Sequence, residues 1–325
     1  MTGRAGVAHA GRWAAVAASL AAVGGAACVQ ADVPDSLPGP TTTSTTVAAP
    51  APEPDCGDPA ASLRPTGPAT ATVPPGSTMA EIQSRGLLRV GVDTATLRLS
   101  SVDPNTGEFE GFDVDIAREV AAALLGDPDR IAFVGIPSSD RVQALVDGRV
   151  DMVADVFTPT CSRREDVEFS TNYFASQQLV LVRDDDPARS TADLADHTIC
   201  GSAGSTTLAR VAELPDVVAV PAAERADCVV KLQQGEVDGM STNDTILVGF
   251  RAQDPNLRFL EGSLNEEPTA IGLPLGRSDW VRYVNAVLEQ VRSSGRWVEL
   301  YDTWLADLLG DLEPGEGPPP PVYVD

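Results

Sequence analysis

GFDVDIAREVAAALLG, residues 111–126, sets Ile116, Val120 and Leu124 four apart, with Asp113 near its start and Gly126 at its end. Apolar side chains at that spacing share one helix face, and an acidic start with a glycine stop marks the two helix ends. Just upstream, LLRVGV at 87–92 is a short β-rich run. Downstream, 131–136 reads as a strand, 138–147 as a helix capped by Ser138, and 150–156 as another strand. Strand and helix in alternation imply an α/β domain with a largely parallel sheet.

The same grammar returns later. Leu145-x-x-Gly148-x-Val150-Asp151 is matched by Leu232-x-x-Gly235-x-Val237-Asp238, offset by 87 residues. Each Gly is expected to end a helix in the left-handed conformation and each Val-Asp to open a strand, which favours two lobes of similar build. Two amphipathic helices, 279–294 and 296–309, finish the body; Trp297, Tyr301 and Trp304 in the second read as core packing. A chain of 325 residues with 43% apolar residues has room for two domains and a sizeable core. Its formal charge of −24 argues against binding to phosphate backbones, so no nucleic-acid partner is expected.

Residues 1–27 carry Arg4, Arg12, no acidic residue and an apolar stretch from Trp13 to Val23, the plan of a signal peptide. GGAAC then ends in Cys28 and resembles a lipoprotein cleavage site, with Cys28 the lipidated residue. Pro, Thr, Ser and Ala dominate the stretch that follows, and 28–76 is expected to be a tether. A second Pro-rich segment, 313–325, is expected to be a tail. Setting Cys28 aside leaves Cys56, Cys161, Cys200 and Cys228, an even number in an exported chain, for which three pairings exist. Cys200 and Cys228 share one late segment, so they are paired, and Cys56 with Cys161. Neither a metal site nor a cofactor is expected, because no CxxC or His/Cys cluster occurs and the histidines are His9 and His197.

Catalytic signals are weak. A Ser/His/Asp set would have to recruit His197 from the turn-like DLADHTICG, and no GxSxG or P-loop accompanies it. Gly201-Ser-Ala-Gly204-Ser205-Thr206-Thr207 precedes a helix pattern. Its N–H groups and hydroxyls suit a carboxylate or phosphate, or Ser205 and Thr206 simply cap the helix. Thr158-Pro-Thr160-Cys-Ser-Arg163 adds hydroxyls and a guanidinium able to grip a carboxylate with two parallel bonds, although Arg163 taken alone reads more often as a surface residue than as a ligand contact.

Several segments together carry a resemblance. Gly111-Phe-Asp113-Val-Asp115-Ile-Ala, Thr158-x-Thr160-x-x-Arg163 running into Val167-Glu-Phe169-Ser170-x-x-Tyr173, the Gly204-Ser-Thr loop, and Gly235-x-Val-Asp238 with Thr-Asn-Asp-Thr-Ile-Leu resemble extracellular solute-binding proteins of family 3. These are polar amino acid receptors of ABC importers, and the match spans about 86–309. The cysteine-bearing segments and the Pro-rich end are similar to the family's actinobacterial glutamine/glutamate-binding lipoproteins. The resemblance implies a two-lobed, type II periplasmic-binding-protein-like α/β fold, with two mixed, mainly parallel sheets joined by two hinge strands. Lobe 1 is placed at 79–180 plus 271–312 and lobe 2 at 181–270, with crossings near 178–183 and 269–273.

On the family pattern Arg163 and Thr158 bind the ligand α-carboxylate from lobe 1, and Ser205 and Thr206 from lobe 2. The ammonium partner falls at Asn243 or the adjacent Asp244. Ser138-Ser-Asp-Arg141 resembles the Ser-x-x-Arg of receptors for acidic amino acids, making Arg141 the acidity reader beside Ser138, with Arg98 a second cation and Asp93 a further binding candidate. Glu or Asp is then expected to bind more tightly than Gln. The implied protein is a monomeric receptor and not an enzyme, held to the outer face of the cytoplasmic membrane by lipidated Cys28. Its partners are a free polar amino acid (Glu/Asp or Asn/Gln) and an ABC permease or membrane sensor. An exported dehydratase or lyase on the same fold, and a ligand-free structural envelope protein, are the alternatives.

Overall fold

The computed structural model describes residues 51–324. The expected signal peptide and lipidated Cys28 lie outside the described residues.

A short strand, β1 (Ser62–Leu63), precedes α1 (Thr78–Arg85), whose first turn is capped by the Ser77 hydroxyl. β2 (Leu88–Val92) enters the main sheet, and β3 (Ala95–Thr96), β4 (Ser100–Val102) and β5 (Phe109–Glu110) form a small antiparallel flap. The helix expected at 111–126 is α2 (Phe112–Leu125). It starts at Gly111, φ 130°, where a Cβ would lie 2.3 Å from the Leu99 carbonyl oxygen, so the tight approach of flap and helix requires glycine. β6 (Ile131–Gly135), a 3-10 turn at Ser138–Asp140, α3 (Arg141–Val146) and β7 (Met152–Phe157) follow. β2 pairs in parallel with both β6 and β7, and Leu88, Val90, Val92 and Met152 are buried with Ile116, Val120 and Leu124 of α2.

β8 (Val167–Phe169) leads into the long β9 (Phe174–Arg183). The second lobe follows as β10 (Thr198–Ser202), α4 (Thr206–Ala212), β11 (Val218–Ala222), α5 (Arg225–Gln234), β12 (Gly239–Asn243), α6 (Asp244–Gln253) and β13 (Leu257–Phe259). The chain returns on β14 (Asn265–Pro274), then α7 (Ser278–Ser293), α8 (Arg296–Trp304), α9 (Ala306–Leu309) and β15 (Tyr323–Val324). Strand order is β11-β10-β12-β9-β14-β7-β2-β6, so β9 and β14 join the two lobe sheets. Trp297 and Tyr301 are buried in an aromatic cluster with Phe112 and Phe174.

β9 and β14 pair with each other over 174–178 and 265–269. The crossings therefore precede the expected positions by a few residues. The apolar runs cause the offset: Val180, Leu181 and Val182 are fully buried in the second lobe, and Ala270, Ile271 and Leu273 in the first. The more polar segments ahead of them bridge the lobes. The sequence repeat appears as one device used twice. Asp151 Oδ2 accepts from the Arg89 N–H at 2.8 Å and Asp238 Oδ2 from the Thr198 N–H at 2.8 Å, so each carboxylate ties its strand to the start of a parallel neighbour.

The stretches expected as tether and tail both contact the body of the protein. From Cys56 onward the N-terminal stretch lies on the first lobe. Cys56 is bonded to Cys161, Ser62 Oγ donates to the Phe169 carbonyl at 2.7 Å, and Asn285 Nδ2 donates to Ser62 Oγ and the Leu63 carbonyl. β15 pairs in parallel with β1, so the tail closes onto the same edge. Proline-rich composition predicts a solvated segment only while no partner satisfies its backbone, and here strand pairing and side-chain donors from Arg164 and Asn285 do so, with a disulfide fixing the stretch in place. Cys200 and Cys228 form the second disulfide, between β10 and α5.

Candidate functional site

The loops at the C-terminal ends of β2, β7, β10 and β11 converge on one cleft. At its base Arg163 opens a 3-10 turn, Arg163–Glu165, and its guanidinium lies 4.8 Å from the centre of the Phe157 ring. Arg163 Nη1 donates to the Thr158 carbonyl, and Nη2 reaches across to the Gly204 carbonyl of the second lobe at 2.8 Å. Burial pulls its pKa down to about 10, opposed by Glu267 and Glu53. The hydroxyls of Thr158 and Thr206, one from each lobe, both donate to Glu267 Oε2 at 2.7 Å. Glu267 is buried on β14, so the bridging strand carries the carboxylate that joins the two threonines. A cavity of about 630 Å³ is lined by Thr158, Thr206 and Glu267 among others.

Deeper in the cleft lies a buried ionic cluster. Arg225, first residue of α5, extends from the second lobe into the first; its Nη1 lies 2.9 Å from Asp93 Oδ2 and 2.7 Å from Asp155 Oδ1. Nη1 also donates to Thr96 Oγ1 at 3.1 Å, and Nη2 to Ser138 Oγ at 3.2 Å. Burial lowers the pKa of Arg225, but Asp155 and Asp93 more than offset this and hold it raised. Arg141 donates through Nε to the Ser138 carbonyl and through Nη1 to the Asp155 and Val156 carbonyls. Burial brings its pKa down to about 9, with Asp155 opposing. Asp155 Oδ2 is buried without a hydrogen-bond partner, 4.0 Å from Arg141 Nε. Burial raises the pKa of Asp155, and Arg225 and Arg141 pull against it.

Val156, between Asp155 and the Thr158 loop, has φ 41°, a strained conformation for a β-branched residue. Its N–H donates to Asp113 Oδ2 at 3.0 Å and its carbonyl accepts from Arg141, so two buried charged side chains hold the bend. Tyr173 Oη donates to the other Asp113 oxygen at 2.7 Å. Burial pushes the Asp113 carboxyl up to about 7, although the Tyr173 hydrogen bond favours its ionised form.

Of the expected ligand-binding set, Arg163, Thr158 and Thr206 meet at the base, and Asp93, Ser138 and Arg141 meet in the cluster. The others are placed differently. Ser205 caps α4: its hydroxyl donates to the Ser202 carbonyl and accepts from the Leu208 N–H, and its proton, like those of Thr158 and Thr206, already has an acceptor. Asp244 turns to the hinge strand, accepting from the Gln177 and Thr245 N–H groups. Asn243 is buried with Nδ2 lacking an acceptor, a donor where the pattern called for an ammonium partner. Arg98 lies toward solvent and pairs with Asp307 at 3.4 Å. Arg141 spends three of its five donors on backbone carbonyls.

Sequence reading missed Arg225, Asp155 and Glu267. Two of them left a trace: Asp155 interrupts the apolar run MVADVF, where a strand otherwise buried on both faces has no cheap place for a charge, and Arg225 opens a helix, where cations are disfavoured. His197 sits in a turn beside Asp186, outside this site. Among the described residues no group of three His, Cys, Asp or Glu is arranged to hold a metal, and no helix is long and apolar enough to cross a membrane.

Residues 88–307 match the family described as bacterial extracellular solute-binding proteins, family 3. The ABC transporter glutamine-binding protein GlnH of Bacillus subtilis is 29% identical over 71% of this chain and 85% of its own. The glutamate-binding protein GluB of Corynebacterium glutamicum is 31% identical over 62% of this chain and 72% of its own. Among solved structures, a solute receptor for L-cysteine from Neisseria gonorrhoeae is 28% identical, with a TM-score of 0.69 over 72% of this chain and 96% of that one.

Proposed function

This chain belongs to the bacterial extracellular solute-binding proteins of family 3, and from that we propose that it is an extracytoplasmic receptor that closes over one polar amino acid of the glutamate/glutamine class. It hands the ligand to the permease of an ABC importer or reports it to a membrane sensor, acts as a monomer, and is held at the outer face of the cytoplasmic membrane by a lipid on Cys28. What supports this reading is the meeting of Arg163 and Thr158 from one lobe with Thr206 and the Gly204 carbonyl from the other. A group gripped there is gripped by both lobes, so binding and closure are one event. The relatives that bind glutamine and glutamate set the ligand class.

The test is a thermal-shift screen of the twenty amino acids, followed by calorimetry. Glutamate or glutamine is expected to raise the melting temperature and to be recovered unchanged by NMR. No stabilisation by any amino acid would return the chain to the structural reading, and turnover of the bound acid would favour the enzyme. Cys28→Ser is expected to release the protein from the membrane into the medium.

A further inference from the structure

We propose that the inner end of the cleft is built for a carboxamide side chain rather than a carboxylate, and that Asp155 and Arg225 set this choice. The inference rests on the receptor reading above and narrows it. The buried cluster holds two cations, Arg141 and Arg225, and the carboxylates of Asp93 and Asp155, with the Asp113 carboxyl beside them on the Val156 N–H. Arg225 is held by both carboxylates, and Asp155 also faces Arg141. Neither cation is left over. A glutamate or aspartate side chain entering this end would add a further buried carboxylate against two guanidinium groups already matched, and a buried unpaired charge is strongly disfavoured. A glutamine or asparagine side chain brings no charge.

The hydrogen-bond inventory points the same way. Asp155 Oδ2 is a buried acceptor without a donor, and a carboxylate ligand has no proton to offer it, whereas an amide has two. Arg141 commits Nε and Nη1 to backbone carbonyls, and its Nη2 edge can donate to the carbonyl oxygen of an amide that also donates to Asp155. Asp155 is sealed in the closed arrangement by Arg225, which belongs to the second lobe. The side chain therefore enters while the lobes are apart, and Arg225 closes behind it. Arg141, expected as an acidity reader, becomes instead a group whose charge is matched by Asp155 and whose free edge takes a neutral oxygen.

Calorimetry with glutamine, glutamate, asparagine and aspartate on the whole protein and two variants tests this. In the wild type at neutral pH each amide is expected to bind at least tenfold more tightly than its acid. Asp155→Asn keeps the shape and removes one negative charge, so the amide-to-acid ratio should shift at least tenfold toward the acids. Arg225→Met removes a cation and should shift it the other way. If Asp155→Asn does not fold, Asp93→Asn makes the same charge change. Acids bound as tightly as amides by the wild type, or a ratio unmoved in a variant that melts like the wild type, would overturn the proposal. Failure of the wild type to bind any of the four would overturn the receptor reading and this inference with it.

Discussion

If the chain is the receptor proposed above, Arg163 is the side chain whose loss should tell most. Its guanidinium lies on the Phe157 ring and spans from the Thr158 carbonyl to Gly204 in the other lobe, so it both closes the base of the cleft and supplies the cation there. Arg163→Ala is expected to cost about 3 to 5 kcal/mol of ligand binding, the loss when a buried carboxylate is deprived of its charged partner, while the fold persists. Calorimetry that finds unchanged affinity would remove Arg163 from the site. Asp113 gives a pH signature of a different kind. Its folded pKa of about 7 lies above the ordinary value of about 3.9, so between those limits the folded chain keeps a proton that the unfolded chain has lost. The Asp113 contribution therefore makes stability fall as pH rises from about 4 to about 7 and level off above that. Asp113→Asn should flatten this part of the profile. Thermal melts of both proteins from pH 4.5 to 8 check it, and parallel profiles would show that Asp113 titrates normally.

At the scale of elements, the site depends on how closely the second lobe's glycine loop approaches the first. Gly204 has φ 73°, and a Cβ there would lie 2.9 Å from the Ser139 Cα, a backbone atom that cannot rotate away. Gly204→Val should leave each lobe folded, with roughly 1 to 2 kcal/mol of backbone strain, but should hold the lobes apart. Ligand affinity is expected to fall at least tenfold, and the radius of gyration measured by X-ray scattering should no longer shrink when ligand is added. Closure equal to the wild type would mean that the Gly204 contact does not gate the cleft. Elements of this kind were legible because they are local: α2, the Gly235 stop and the strand-opening Asp151 and Asp238 are set by spacing within one segment. Arg163, Thr158 and Thr206 were legible because they sit in contiguous motifs. Arg225 was not, because its partners Asp93 and Asp155 lie 132 and 70 residues away and nothing local announces the pairing. Ser205 was placed on the ligand because a cap and an anion seat use the same hydroxyl, and only the Leu208 and Ser202 contacts separate them.

For the whole molecule, the disulfides keep stability and closure apart. Cys200 and Cys228 both lie in the second lobe, and Cys56 joins the N-terminal stretch to Cys161 in the first, so neither bond ties lobe to lobe. Closure therefore proceeds with both intact, while each restrains the unfolded chain. Sequence separations of 105 and 28 residues correspond, in the chain-entropy account, to about 4.7 and 3.6 kcal/mol. The disulfide that closes the longer loop sits in the Thr158 to Arg163 segment, but other contacts also hold that segment. Glu53 accepts from the Ser162 N–H and hydroxyl, and Arg164 donates to the Pro59 and Ala61 carbonyls. The paired change Cys56→Ser with Cys161→Ser should accordingly lower unfolding free energy by up to about 4.7 kcal/mol and the melting temperature with it, yet change ligand affinity less than about threefold. Urea titration and calorimetry on the same preparation measure the two quantities. A large loss of affinity with little loss of stability would reverse this assignment and make the N-terminal stretch a working part of the clamp.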